Sequence, residues 1–146
     1  MFSKDFKEFL QLLIKNKVEY LVVDGYAVGY HGYPRFTGDL DIWLNPDLKN
    51  SKKILKCIDE FGFSSLGVTE NDFTKIGNVI QLGYPPLRID ILNDIDGVVF
   101  GDCFINKVNV EIEGILVNFI SYNDLILNKK ATGRHRDLDD LENLQP

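Results

Sequence analysis

The 146-residue chain has the length of one compact domain and is long enough to bury a hydrophobic core. Its 45% hydrophobic and 26% charged residues are typical of a globular protein and exclude a disordered or fibrous chain. The net charge of −6 excludes an overall basic field that would attract a long polyanion, so any contact with nucleic acid would be local.

The two cysteines, Cys57 and Cys103, show neither CxxC nor zinc-ligand spacing. Together with the lack of a signal peptide, this spacing predicts a reducing cytoplasm and two core thiols. The longest apolar runs, such as residues 20–23, are far shorter than the roughly 20 residues of a membrane-spanning helix. We therefore expect a cytoplasmic protein with no membrane partner.

A helix and a strand are predicted first along the chain. Residues 3–15 place apolar side chains three and four residues apart, which predicts an amphipathic helix with Ser3 as its N-cap. Residues 18–23 form an apolar run rich in β-branched residues, which is typical of a buried strand. This strand ends abruptly at Asp24-Gly25.

The next three elements alternate in the same way. A short helix is expected over about residues 26–31, and the sequence DLDIWL at 39–44 alternates acidic and apolar residues with the period of a strand. Apolar residues at helical spacing then predict a helix over residues 50–61, with Asn50 or Ser51 as its N-cap.

The rest of the chain is richer in strands. We expect strands over residues 79–82, 87–92, 108–112 and 115–120, the last two joined as a hairpin at Glu113-Gly114. Residues 121–144 then predict a helix, a glycine break and a second helix. Since the strands and helices show no regular βαβ alternation, the pattern predicts an α+β fold, a mixed β-sheet with helices packed on it, in a single domain over residues 1–146.

Three aspartates carry the chemistry of a metal site. Asp39 and Asp41 share one face of their strand, with Cα atoms about 6.5 Å apart, while Asp90 interrupts the apolar strand LRIDIL. If that strand pairs with residues 39–44, the three carboxylates meet and form the hard oxygen site that Mg²⁺ or Mn²⁺ prefers. The alternatives are a solvated strand face for the first two and an ion pair with Arg88 for Asp90.

The turn at Asp24-Gly25 offers a place for an anion. A helix that starts just after a glycine presents unpaired N–H groups and the positive end of its dipole. Carboxylates that hold a metal beside such a turn are the parts required for phosphoryl or nucleotidyl transfer. The carboxylate of Asp24 would compete with a phosphate if it capped the amides of Tyr26 or Ala27.

Residues 22–42 resemble the signature of the polymerase-β-like nucleotidyltransferase superfamily. In that signature a hydrophobic strand ends in Gly-Gly or Gly-Ser, and an acid, a hydrophobic residue and a second acid follow about a dozen residues later. Here 13 residues separate Gly25 from Asp39. More narrowly, YAVGYHGYPRFTGDLDIWL resembles small bacterial nucleotidyltransferase-like proteins related to the abortive-infection (AbiEii-type) toxin family. LRIDIL and residues 124–144 are similar to the third-carboxylate strand and the C-terminal helices of that family.

The resemblance implies a metal-dependent nucleotidyltransferase, which transfers a nucleoside monophosphate from a nucleoside triphosphate to a hydroxyl acceptor. Asp39, Asp41 and Asp90 would be the catalytic residues and would hold Mg²⁺ or Mn²⁺, and Asp90 would also help to activate the acceptor. The expected nucleotide-binding residues are Asp24, Gly25, Tyr26, Arg35 and Lys129. The acceptor, whether RNA, protein or a small molecule, is not identified, and a partner protein or antitoxin is compatible with the resemblance.

One departure from the family pattern motivates a second function. Family members usually carry glycine where Asp24 stands, and aspartate tolerates unusual turn conformations less freely and repels a triphosphate. The alternative function is therefore a catalytically impaired binding module with a nucleotidyltransferase fold. For Arg35 and Lys129 the alternative role is a surface salt bridge. We expect helix-surface pairs among Arg134, Arg136, Asp137 and Asp140.

Overall fold

A six-stranded mixed β-sheet forms the centre of the protein in a computed structural model that describes residues 2–144. The strands are β1 (Tyr20–Val23), β2 (Asp39–Leu44), β3 (Val79–Tyr84), β4 (Leu87–Leu92), β5 (Val108–Ile112) and β6 (Ile115–Phe119). Their order across the sheet is β3-β4-β2-β1-β6-β5. Residues 1, 145 and 146 of the predicted domain lie outside the described residues.

Seven α-helices accompany the sheet within residues 2–144. They are α1 (Lys4–Lys15), α2 (Asp24–Tyr30), α3 (Leu48–Glu60), α4 (Glu70–Thr74), α5 (Phe100–Ile105), α6 (Tyr122–Thr132) and α7 (His135–Asn143). The predicted N-cap of α1 is confirmed, because the Ser3 hydroxyl accepts a hydrogen bond from the Phe6 amide at 3.1 Å. The predicted glycine break is confirmed too, since Gly133 ends α6 in the left-handed conformation.

The strand directions bring several chain segments to one end of the sheet. β1 runs parallel to β6 and antiparallel to β2, and β2 runs parallel to β4. The end of β1 therefore lies beside the starts of β2 and β4, and β6 also finishes there. Because α2 follows β1 directly and α6 follows β6 after two residues, both helices begin at this same end, which we call the site end of the sheet.

One hydrophobic core holds the helices on the sheet. All four residues of β1 are buried, so this strand is covered on both of its faces. The inner face of α1 contributes Phe6, Phe9, Leu10 and Leu13, each at most 2% exposed. The periodicity that predicted α1 therefore identified the side chains that attach this helix to the sheet.

The start of α3 differs from the prediction. The helix begins at Leu48, and the Asp47 carboxylate caps it by accepting a hydrogen bond from the Asn50 amide at 2.7 Å. The prediction of Asn50 or Ser51 as the cap is therefore wrong. Both lie inside the helix, and the Asn50 side chain instead bonds the backbone of Glu19, just before β1.

The predicted α+β fold with a mixed sheet is confirmed. The sequence patterns missed α4 and α5, whose five and six residues are too few to show a helical period. The predicted hairpin joins β5 to β6, with Glu113 and Gly114 at φ angles of 51° and 82°. Of the helices within residues 2–144, none combines the length and the apolar composition needed to cross a membrane.

Gly38 provides a test of the packing at the site end of the sheet. A Cβ atom at this position would lie 2.2 Å from the Pro86 carbonyl oxygen, in the turn between β3 and β4. We expect Gly38→Ala to lower the free energy of unfolding by about 1–3 kcal/mol, as overpacking does. Urea denaturation measures this change.

The matched control is Gly101→Ala in α5, where a Cβ atom would meet nothing within 4 Å. Since alanine favours helix over glycine by up to about 1 kcal/mol, this variant should keep or raise the stability. Equal destabilisation by the two variants would contradict the close approach of Gly38 to Pro86.

Candidate active site

Three aspartates lie on two neighbouring strands at the site end of the sheet. In the strand register, Asp41 lies between Val23 of β1 and Asp90 of β4. Asp39 and Asp41 are two residues apart in β2, so their side chains leave the same face. All three aspartates line one cleft of about 420 Å³. The pairing of β2 with β4, on which the predicted cluster depends, is therefore present.

Arg88 joins two of the three carboxylates. Its Nε donates to Asp90 Oδ1 at 2.6 Å, and its Nη2 donates to Asp90 Oδ2 at 2.9 Å and to Asp39 Oδ2 at 3.0 Å. The ion pair of Arg88 with Asp90, weighed above as an alternative, is thus present inside the predicted metal cluster. Asp41 takes part in none of the ion pairs found within residues 2–144.

The surroundings of Asp41 disfavour the ionised form of its carboxyl group. Burial, together with the negative charges of Asp24, Asp90 and Asp39, raises the pKa of Asp41 to about 8. A cation held at this point would favour the ionised carboxylate and offset the repulsion. Three carboxylates without nitrogen or sulfur ligands suit Mg²⁺ or Mn²⁺, so the donor set fits the predicted metal.

Asp24 stands at the end of β1 in a strained conformation. Its φ angle is +54°, in the left-handed region that glycine adopts most freely. The predicted capping of α2 amides by its side chain is wrong, because the carboxylate turns to cations instead. Oδ1 accepts from Lys129 Nζ at 2.5 Å, and Oδ2 accepts from Arg136 Nη2 at 3.4 Å.

Lys129 lies at the centre of a buried charge cluster. Its side chain is 1% exposed, and its ammonium group contacts Asp24, Asp137 and Asp140 at 2.5, 3.0 and 3.0 Å. Oxygens of these three aspartates lie within 4.8 Å of one another, as metal ligands would. Here the ammonium group supplies the positive charge, and we call this group of four residues the lysine cluster.

Arg35 and Arg134 extend the lysine cluster. Arg35 forms a two-pronged pair with Asp140, at 2.8 and 3.0 Å, and Arg134 Nε donates to Asp137 at 2.8 Å. Asp137 and Asp140 are 1% and 0% exposed. The prediction of surface pairs is therefore wrong for both aspartates, which face inward because α7 packs against α6 and because Lys129 and Arg35 pair with them.

The pKa values of the lysine cluster reflect its pairing. Burial alone would raise the pKa of Asp137, but hydrogen bonds from Arg134 and Lys129 outweigh it and lower the pKa to about 2. Burial alone would lower the pKa of Lys129, but the attraction and hydrogen bond of Asp24 and the hydrogen bonds to Asp137 and Asp140 raise it. These shifts favour the ionised forms of Lys129 and Asp137.

The predicted nucleotide-binding residues lie in three different places. Asp24 lines the cleft with the aspartates. Gly25, Tyr26 and Arg35 line a separate cavity of about 290 Å³, and a Cβ atom at Gly25 would lie 2.6 Å from Thr37 Oγ1. Lys129 is buried and shares its hydrogen bonds with Asp24 and Asp137. Its contact with nucleotide stays a prediction.

Sequence reasoning did not assign two arginines to the cleft. Arg134 and Arg136 reach it from the start of α7, and their side chains are 59% and 57% exposed. No local pattern relates this segment to β1, so only the tertiary structure places them beside the aspartates. Arg88 was within reach of sequence analysis, since it lies two residues before Asp90 and therefore on the same strand face.

With this geometry established, the comparison with known families becomes informative. The chain matches, over residues 2–146, the model of a family described as a nucleotidyl transferase of unknown function (DUF2204). The chain belongs to this family. The family is described by its nucleotidyl transferase activity, and in this DUF2204 protein three aspartates on two adjacent strands line the cleft. No curated protein matches the chain in sequence.

Two solved structures have the same fold as this DUF2204 protein. A candidate nucleotidyltransferase (TM1012) from Thermotoga maritima is 17% identical, with a TM-score of 0.65 over 94% of this chain and 88% of that one. The lincosamide antibiotic adenylyltransferase LnuA, bound to lincomycin, is 16% identical, with a TM-score of 0.62 over 99% and 96%. This likeness confirms the predicted nucleotidyltransferase-like fold. The narrower resemblance to abortive-infection toxins stays a prediction.

Lys129 should contribute more to stability than any exposed lysine of α6. We expect Lys129→Met to lower the free energy of unfolding by about 3–5 kcal/mol, because it leaves buried carboxylates without their shared cation. Chemical denaturation at neutral pH measures the loss.

Lys130→Met is the matched control, since Lys130 is the next residue of the same helix and is exposed. It should change the stability by no more than about 0.5 kcal/mol. If Lys129→Met were as mild, the lysine cluster would not be the structural centre that its contacts indicate.

Proposed function

We propose that this protein is a metal-dependent nucleotidyltransferase, which transfers a nucleoside monophosphate from a nucleoside triphosphate to a hydroxyl acceptor and releases pyrophosphate. The observation that carries the proposal is the direct pairing of Asp41 with Asp90 across β2 and β4, with Asp39 on the same face of one cleft. The family assignment supports the reaction class. Carboxylates gathered at one point serve phosphoryl chemistry by holding divalent metal.

In this proposal Asp39, Asp41 and Asp90 hold Mg²⁺ or Mn²⁺. When bound, the metal supplies positive charge to the phosphates and lowers the repulsion between them and the attacking oxygen. Asp41 contributes a carboxylate that joins none of the ion pairs seen among residues 2–144, and burial and the neighbouring acids raise its pKa to about 8. Asp90 also receives the proton of the acceptor hydroxyl.

Arg134 and Arg136 provide the positive charge that a triphosphate requires. Both line the cleft and are more than half exposed, so their remaining N–H groups face solvent. Guanidinium groups bind phosphate oxygens in pairs, which suits them to a phosphate chain. Lys129 acts indirectly on the nucleotide. It neutralises Asp24 and so lowers the repulsion that this acid would exert on the phosphates.

The acceptor and the biological setting are open parts of the proposal. RNA, a protein or a small hydroxyl compound each fits a cleft that is open to solvent. The lincosamide adenylyltransferase shares the fold, and it supports the small compound as the first class to screen. Action as a toxin with an antitoxin partner, and a cytoplasmic location, stay predictions.

Asp41→Asn tests the proposed chemistry. We expect it to lower the rate of nucleotidyl transfer at least about 100-fold, because it removes a charged metal ligand. Incubation with each labelled nucleoside triphosphate, Mg²⁺ or Mn²⁺ and cell extract gives the rate from the label found on an acceptor.

The matched control for this assay is Asp59→Asn, an equal change of charge on the exposed face of α3. It should leave the rate unchanged. The enzyme proposal fails if the wild-type protein labels no acceptor and if no nucleoside triphosphate raises its melting temperature.

A catalytically impaired binding module is the second candidate, and Asp24 is the observation that favours it. Its carboxylate occupies the end of β1, engages Arg136 and Lys129, and faces the cleft where phosphates would bind. In such a module the carboxylate would take the place of the nucleotide anion.

Asp24→Gly separates the two functions. The variant relieves the left-handed strain, and Asp137 and Asp140 still pair with Lys129, so we expect a folded protein that has lost about 1–3 kcal/mol of stability. We expect its affinity for nucleoside triphosphate, measured by calorimetry with Mg²⁺, to stay within about tenfold of wild type.

A gain of affinity well above tenfold would favour the impaired module instead. Asp94→Asn is the control for the loss of one negative charge, because Asp94 is an exposed acid that lines the same cleft. A gain that is specific to Asp24→Gly identifies the side chain as an obstacle to nucleotide, whereas an equal gain in both variants reflects net charge alone.

A further inference from the structure

We infer that Arg88 is a built-in counter-cation of the metal site, which yields its carboxylates to a divalent cation only when nucleotide phosphates draw the guanidinium group away. Binding of the metal and of the nucleotide would then depend on each other. This inference rests on the proposed function and assigns to Arg88 the control of access to the metal site.

The contacts of Arg88 overlap with those that a metal would use. Its guanidinium group bonds both oxygens of Asp90 and one oxygen of Asp39, at 2.6–3.0 Å. These oxygens belong to Asp90 and Asp39, two of the three carboxylates that are predicted to bind the metal. A cation that approaches Asp41 therefore finds its other ligands engaged in charge-assisted hydrogen bonds, which are about twice as strong as neutral ones.

The position of Arg88 allows its guanidinium group to leave Asp39 and Asp90. The side chain of Arg88 is 24% exposed, whereas that of Lys129 in the lysine cluster is 1% exposed. Arg88 and Asp90 both line the cleft, so the guanidinium group can exchange carboxylates for another anion without crossing the core. The long, flexible stem of arginine permits this movement within one rotamer change.

A phosphate chain is the anion that best replaces the carboxylates. Arg134 and Arg136 line the same cleft, where each pairs with one aspartate, Asp137 and Asp24 respectively, and is more than half exposed. Nucleotide phosphates that enter among the three arginines offer oxygens in the paired arrangement that guanidinium prefers. Transfer of Arg88 to phosphate would then free Asp39 and Asp90 for the metal.

This arrangement predicts positive coupling between the two ligands. Metal alone must compete with Arg88, and nucleotide alone meets Asp39, Asp41 and Asp90 without a divalent cation. Each ligand removes the obstacle to the other, and the coupling is reciprocal by thermodynamic necessity. The site would thus hold the divalent cation together with a nucleoside polyphosphate and hold the free cation weakly.

Calorimetric titration with Mn²⁺, with and without a non-hydrolysable nucleoside triphosphate analogue, tests the inference. Without the analogue, Arg88→Gln should bind Mn²⁺ about tenfold more tightly than wild type, because the competing cation is gone. Addition of the analogue should raise the Mn²⁺ affinity of wild type about tenfold and that of Arg88→Gln less than about threefold.

Two further variants separate the effect of charge from the effect of the contacts that Arg88 makes. Arg136→Gln removes one positive charge from the same cleft without touching Asp39 or Asp90, so it should change the affinity for Mn²⁺ alone less than about threefold. Arg88→Lys keeps the charge but loses the two-pronged contact, so it should fall between wild type and Arg88→Gln. Circular dichroism establishes that each variant is folded.

The inference is overturned if Arg88→Gln binds Mn²⁺ no more tightly than wild type, or if Arg136→Gln gains as much. In both cases the proposed function survives, provided that wild type binds Mn²⁺ in the presence of the analogue. If wild type and Arg88→Gln bind no Mn²⁺ even with the analogue, the metal-dependent function and the role of Arg88 are both wrong.

Discussion

A single buried ammonium group holds together the two parts of the chain that form the cleft. Lys129 joins Asp24, at the end of β1, to Asp137 and Asp140 of α7. Removal of one partner from such a cluster leaves an uncompensated buried charge, so the parts cannot separate cheaply. The left-handed conformation of Asp24 persists because this contact holds its carboxylate in place. The position of the turn beside β2 thus depends on a residue far along the chain.

Two clusters of charge lie near each other at the site end of the sheet and differ in exposure. In the lysine cluster, the side chains of Lys129, Asp137 and Asp140 are at most 1% exposed, and the ammonium group contacts all three aspartates. The cluster around Arg88 opens into the cleft, and Asp41, which lines the same cleft, joins none of the ion pairs in the described part of the chain. The first arrangement is permanent and structural. The second can exchange its partners, which is the property that a ligand site requires.

The sequence predicted those features that depend on local patterns. The alternation of acidic and apolar residues in β2 and β4 revealed both the strands and the facing carboxylates, because strand period and side-chain direction are set locally. The lysine cluster could not be predicted in this way. Asp137 and Asp140 have the spacing of an ordinary exposed helix face, and Asp24 and Lys129 are 105 residues apart. Which face of α7 is buried is decided by packing that no short segment encodes.

The parallel pairing of β1 with β6 has a consequence for the time at which the cleft can form. Proteins emerge from the ribosome with the N-terminal part first, so β1 and β2 are made long before β6, α6 and α7. Until Lys129 and Arg136 have been synthesised, Asp24 lacks these two cation partners, and β1 lacks one of its two neighbours. The cleft is therefore among the last features to be completed as the chain is synthesised.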